Sequence, residues 1–139
     1  MKHNLILRVI VKYLFPVIAL FAFYVLFHGE YGPGGGFQAG VIMGVAIIFY
    51  ALVFGLETTE QVIPPQILRI LASTGILIYA GTGVVTMLMG GNFLDYNMLS
   101  LNQVEGQHIG IIVIEVGVGI TVSAVMLMIF YAFASKGRP

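Results

Sequence analysis

HGEYGPGGGFQAGVIMG, residues 28–44, decides how the rest of this chain is read. Gly29, Gly32, Gly34, Gly35, Gly36 and Gly40 fall in it ahead of Gly44, with Pro33 among them. Glycine costs about 1 kcal/mol and proline about 3 at an interior helical position. The first half of the stretch therefore breaks any helix that reaches it, and the second half runs straight into an apolar segment. His28, Glu30 and Gln38 put polar groups at this junction. The stretch reads as a turn between two long apolar runs, presented by the rest of the chain at a membrane surface.

Working outward, the chain has 139 residues, 59% hydrophobic and 9% charged, with a mean hydropathy of +1.01. A soluble domain carries roughly 25% charged residues, so lipid must cover part of this surface. The formal net charge of zero argues against a nucleic-acid partner, which needs a basic face. The absence of Cys excludes disulfides, thiolate metal sites and thiol nucleophiles. With no Trp, any aromatic belt falls to Tyr and Phe.

A spanning helix needs about 20 apolar residues, and four runs qualify. The first is Leu5–Phe27, with Arg8 and Lys12 in its opening turns, placed to snorkel to the head groups. Its basic start also fits a signal peptide. No small-x-small cleavage pattern follows it, however, and three more runs do, so a retained helix is expected. Phe37–Gly55 is the second run, with Gln38 as its one strongly polar side chain. Glu57–Gln66 contains Pro64–Pro65 and is expected to be a short loop. Ile67–Met89 is the third run, with Tyr79, Thr82 and Thr86 on one helical face. Gly90–Gln107 is polar with apolar residues interleaved, and could rest as a short helix in the interface. Ile109–Phe133 is the fourth run and carries one charge, Glu115. The expectation is an all-α membrane protein, with residues 1–139 forming a single four-helix transmembrane domain. Lys2, Arg8, Lys12, Arg69, Lys136 and Arg138 all fall on one side of four spans. The two loops on the other side hold no Lys or Arg, so both termini are expected to be cytoplasmic.

Gly36, Gly40 and Gly44 recur every four residues, a small-residue face that lets helix backbones touch in lipid. Gly106, Gly110, Gly117, Thr121 and Ala124 form a similar smooth face on the fourth run. Gly34-x-Gly36-x-x-Ala39 matches a dinucleotide fingerprint, but it follows a spanning run rather than a strand and no βαβ unit surrounds it. No cofactor is therefore expected. The glycine N–H groups ahead of a helix start are suited instead to a tight turn, or to attracting an anion or a carboxylate.

Glu115 is the sharpest single signal. It stands seven residues beyond His108, about 10 Å into the helix at 1.5 Å per residue. At that depth an ionised carboxylate costs several kcal/mol, so without a cation the group is expected to be neutral. Such a carboxyl can relay protons or hold a cation. Otherwise it is simply hydrogen-bonded to a neighbouring helix, with Thr82 or Thr86 as partners. His108, Ile112, Glu115, Gly119 and Val122 follow one face. His28, Glu30, Asp95, Glu105 and His108 belong to the outer side, as an acidic funnel for cations or as ordinary loop residues. No metal-ligand spacing is present. No serine–histidine–acid arrangement is readable either, so an enzyme is not expected.

The motif Pro33-Gly34-Gly35-Gly36-Phe37-Gln38-Ala39-Gly40, after a first helix ending in His28-Gly29, closely resembles the B-subunit family of the Mrp-type (Mnh) sodium/proton antiporters. The length, the four spans and the acidic fourth helix, Glu115-Val116-Gly117-Val118-Gly119, are similar to that family too, so the resemblance covers nearly the whole chain. It implies a small member of a multi-subunit antiporter in the bacterial plasma membrane, exchanging sodium for protons beside large subunits that resemble those of respiratory complex I. Related subunits occur in membrane-bound hydrogenases.

The sequence is thus read as a four-helix antiporter subunit. Glu115 is the candidate proton or sodium relay, with His108 as its outer neighbour. Pro33, Gly34, Gly35, Gly36, Phe37, Gln38, Gly40 and Gly44 shape the turn and the helix packing. One rival is a self-sufficient transporter like the small multidrug-resistance dimers. Their intramembrane Glu lies in the first helix, and the first run here has no acid. The other rival is a purely structural assembly component.

Overall fold

Apolar length and helix-breaking residues divide the described residues into five α-helices. The computed structural model describes residues 5–136. Helix α1 is Leu5–His28, α2 is Gly36–Phe54, α3 is Leu56–Val62, α4 is Pro65–Leu88 and α5 is Gln103–Ser135. Of these, α1, α2, α4 and α5 are long and apolar enough to cross a membrane. Lys2 and Arg138, two of the cations behind the orientation argument, lie outside the described residues.

Two boundaries differ from expectation, for local reasons. Glu57–Gln66 is not a loop throughout, because α3 occupies most of it. Its Glu and Thr residues do not break helices. The breaks come from Gly55, at φ 103°, and from the proline pair, whose Pro65 stands at the first position of α4, where proline is tolerated. Thr58 and Thr59 donate their hydroxyls to the carbonyls of Phe54 and Gly55. Helix α5 starts at Gln103 rather than Ile109. The Asn102 side chain caps it by accepting from the Val104 N–H at 3.1 Å, and Glu105 lies in its first turn, where a negative charge favours the dipole. Polar composition had made these residues look like loop.

The spanning helices stand in a row, α1–α2–α5–α4, with α5 wedged between α2 and α4 and α1 resting chiefly on α2. Helix α5 carries two smooth faces. On the α4 side, a Cβ on Gly117 would lie 2.9 Å from the Gly75 carbonyl oxygen, and Thr121 donates to the Ala72 carbonyl at 3.3 Å. Leu68, Ala72, Ala124, Leu127 and Tyr131 form the apolar core there, pinned by the Tyr131 hydroxyl donating to the Ile63 carbonyl at 3.1 Å. On the α2 side, Gly36 meets the Glu115 backbone, Gly40 meets Gly119 and Val122, and Gly44 meets Ser123 and Met126. This is the expected glycine face, and its partner is α5.

The register leaves the α1–α2 turn recessed. Glu115 is twelve residues from Gln103, about 18 Å along α5, deeper than the 10 Å reckoned from His108. Yet it lies level with Gly36, where α2 begins. Helix α4 meets α5 at Gly75 and Gly117, then continues thirteen residues, about 20 Å, to Leu88. The turn between α1 and α2 therefore sits well below the ends of α4 and α5. The short 3-10 turn Tyr96–Leu99 fills part of the step by packing on Gly106 and Gly110.

The glycine seam yields a direct test. A Cβ on Gly40 would come to 2.7 Å from the Gly119 carbonyl oxygen and 2.9 Å from Val122 Cβ, whereas one on Gly81 meets open space. Gly40→Val should cost about 1–3 kcal/mol or more by overpacking, seen as a lower melting midpoint of the purified protein. Gly81→Ala should stay within about 1 kcal/mol of the unmodified chain. Equal melting of both variants would refute the seam.

Candidate functional site

The site forms where the recessed turn meets the middle of α5. Helix α1 ends at His28, and the chain turns back through Gly29–Gly35, with the His28 carbonyl accepting from Tyr31 and Gly32 and the Val25 carbonyl from Gly35. Gly35 has φ 117° and ψ 176° as the N-cap of α2, a conformation essentially confined to glycine. A Cβ on Gly29 would lie 2.5 Å from Glu115 Oε1, and one on Gly35 would lie 3.0 Å from it. The turn is bare of side chains where the Glu115 carboxyl rests.

That placement gives the carboxyl opposing neighbours. The first turn of α2 has N–H groups with no carbonyl one turn back, and carries the positive end of the helix dipole. The C-terminal end of α1 contributes partial negative charge, and the Glu30 carboxyl lies within electrostatic range. The Glu115 carboxyl thus rests between the start of α2, the end of α1 and a second carboxyl.

Glu30 in turn holds His108. Its Oε2 is hydrogen-bonded to His108 Nδ1, with the Glu30 side chain 9% exposed and the His108 side chain 45%. The bond ties the loop to α5 across 78 residues of sequence. His108 and Glu115 are seven residues apart, so they stand about two turns apart on one face of α5. His108, Glu30 and Glu115 thus converge on the turn.

The other outer residues do not join them. His28 stacks on Tyr24, with ring centroids 5.1 Å apart. Glu105 accepts from Ser100 at 3.2 Å, and Asp95 accepts from Asn97 at 3.1 Å. Each of these three side chains is held by a neighbour close in sequence. Thr82 and Thr86 are not partners of Glu115 either. Thr82 donates to the Ile78 carbonyl at 2.8 Å. The Thr86 hydroxyl is engaged with the Gly83 and Asn92 carbonyls and the Leu94 N–H. Each threonine finds its partner along its own helix or the adjoining loop. Phe37 and Gln38 are exposed, on the side of α2 away from α5, while Gly36, Ala39 and Gly40 are buried.

On the inner side of the turn lies a cavity of about 310 Å³ between α1, α2 and α5, next to Gly119 and Val116. Its lining is apolar apart from Ser123. No polar side chain of this cavity other than Ser123 continues the path from Glu115.

The Glu30–His108 pairing was not legible in the sequence, because a contact across 78 residues leaves no local signal. Gly29 was legible only as the residue after the helix end, not as the floor under Glu115.

A family model described as a domain related to the MnhB subunit of Na+/H+ antiporter matches residues 6–128. Proteins of Staphylococcus aureus strains Newman, JH1 and COL, each named "Putative antiporter subunit mnhB2", are 33% identical to this chain over 142 residues. Those matches cover 99% of this chain and 99% of each relative.

Removing His108 leaves the Glu30 carboxyl, which is mostly buried, without its partner. A double-mutant cycle of His108→Ala and Glu30→Ala, read by melting of the purified protein, should give a coupling of about 1–3 kcal/mol. Additive effects would mean that the pair does not form.

Proposed function

The chain belongs to the MnhB family and is a subunit of a multi-subunit sodium/proton antiporter; from that premise we propose that it carries part of the ion path, through Glu115 at the glycine turn. The supporting observation is the seating of the Glu115 carboxyl on Gly29 and Gly35, beside the start of α2 and within electrostatic range of Glu30. His108, nearer the start of α5, is its outer neighbour. The glycine motif has two duties in this reading. Gly36, Gly40 and Gly44 bring α2 against α5, while Gly29 and Gly35 leave room for the acid.

The architecture supports a role inside a larger assembly. The apolar windows of the four spanning helices are 17–33% buried within this chain, so most of their surface is free for lipid or for other subunits. The path beyond Glu115 runs out of polar groups at the apolar cavity, so a neighbouring subunit takes it up. The large subunits that resemble those of respiratory complex I are the proposed recipients, in the bacterial plasma membrane, with both termini of this chain cytoplasmic. Sodium and protons are the transported species. A stand-alone transporter would need a continuous path of its own.

Glu115→Gln and Glu115→Ala, expressed with the other subunits in an antiporter-deficient cell, test this reading. Both should lose sodium tolerance at alkaline pH, and exchange in everted vesicles should drop by about 100-fold or more, the scale of a lost proton-transfer group. Co-purification of the other subunits should be retained. Full tolerance in both variants would leave this chain a packing role only.

A further inference from the structure

The two carboxyl oxygens of Glu30 stand in different surroundings. Oε2 meets His108 Nδ1. Oε1 is buried and has no hydrogen-bond partner. A carboxylate oxygen left so carries its desolvation cost without return, so the ionised state of Glu30 is only half satisfied.

The neighbouring charges do not complete it. His108 of α5 is in contact with Glu30, and Glu115 of α5 is within electrostatic range. His28 at the end of α1 is turned onto Tyr24 and Tyr31, and Glu105 is held by Ser100. Arg8 lies over the Phe54 ring at the far end of α2. Lys12, Arg69 and Lys136 also belong to the helix ends remote from the turn. Glu30 therefore has one imidazole in contact and a second carboxyl, that of Glu115, within electrostatic range. Even a charged His108 leaves one negative charge over, which calls for a proton or a metal cation. Space favours the proton. Glu30 Oε1 is closed off from the surroundings, so a cation reaches it only after shedding its water shell, whereas a proton rides on the oxygen itself.

We propose that Glu30 passes protons between His108 and Glu115, so that the ion this subunit moves is a proton and not sodium. The proposal rests on the Glu115 reading and narrows it. In the inward direction, the N–H bond at His108 Nδ1 breaks as an O–H bond forms at Glu30 Oε2, and the imidazole is left neutral. Rotation of the carboxyl group exchanges the positions of its oxygens. Once side-chain motion brings the two carboxyls into hydrogen-bond reach, the O–H bond of Glu30 breaks as one forms on Glu115, and Glu30 is again a carboxylate ready for the next His108 cation. No electron changes hands, and the proton is conserved at each step.

Exchange by the assembled antiporter in everted vesicles, measured against both sodium concentration and pH, tests it. Glu30→Gln preserves an oxygen that can accept from His108 but cannot carry a proton. Maximal exchange should fall at least about tenfold, with the KM for sodium within about twofold of the unmodified complex. His108→Gln should remove the limb of the pH profile that the imidazole contributes, again without moving the KM for sodium. Normal exchange by Glu30→Gln, while Glu115→Gln is inactive, would overturn the Glu30 link and leave the Glu115 reading standing. Activity in Glu115→Gln would remove both. A roughly tenfold rise in KM for sodium with the pH profile intact would make this a sodium site and contradict the proposal. Should Glu30→Gln fail to assemble, an assembled His108→Gln complex with an unchanged pH profile would overturn it equally.

Discussion

Backbone-to-backbone approach of α2 and α5 is the contact from which the rest follows. It is possible because Gly36, Gly40 and Gly44 present no side chains to Glu115, Gly119 and Ser123. Helices in lipid gain little from hiding apolar surface from each other, since the tails outside are equally apolar, so close packing has to supply the association. Here the closeness also sets a chemical distance. With α2 drawn this near, the end of α1 and the turn after it are carried onto the carboxyl of Glu115. A chain with alanine or valine in the seam would push the turn away and leave that carboxyl facing a gap.

The same register explains the depth of the site. Helix α5 is 33 residues long, about 50 Å, well over the roughly 30 Å of hydrocarbon. Helix α2, with 19 residues, is close to a single crossing. Because the two are aligned at Gly36 and Glu115, the excess of α5 lies above the turn, where it carries His108. An imidazole partly open to the surroundings, a shielded carboxylate and a second carboxyl at the turn lie in succession down this end of the chain.

Legibility in the sequence followed the range of the interactions. The four apolar runs, the breaking power of the glycine–proline turn and the small-residue face of α2 are local patterns, and each reappears in the folded chain. Misreadings came where composition stood in for mechanism. Leu56–Val62 looked like loop because it is polar, although only Gly55 and the prolines stop a helix there. Asn102 and Glu105 bear the spacing of a helix start, and the interleaved polar residues concealed it. Glu115 stood out because a lone acid in an apolar run is costly, but its surroundings were not readable. Thr82 and Thr86 shared a helical face and so looked available. Their hydroxyls are taken up by carbonyls of α4 and its following loop. The meeting of Glu30 with His108 depends on how α1, α2 and α5 stack, which no short stretch encodes.

The central claim is that Glu115 sits in the glycine turn for the sake of ion handling. A density map of the assembled antiporter tests it most directly. It should show the Glu115 carboxyl lodged on Gly29 and Gly35, with Glu30 on His108 and a polar group of a neighbouring subunit within reach of the turn. A map in which Glu115 points at acyl chains, or is sealed among apolar side chains with no polar neighbour, would contradict the account.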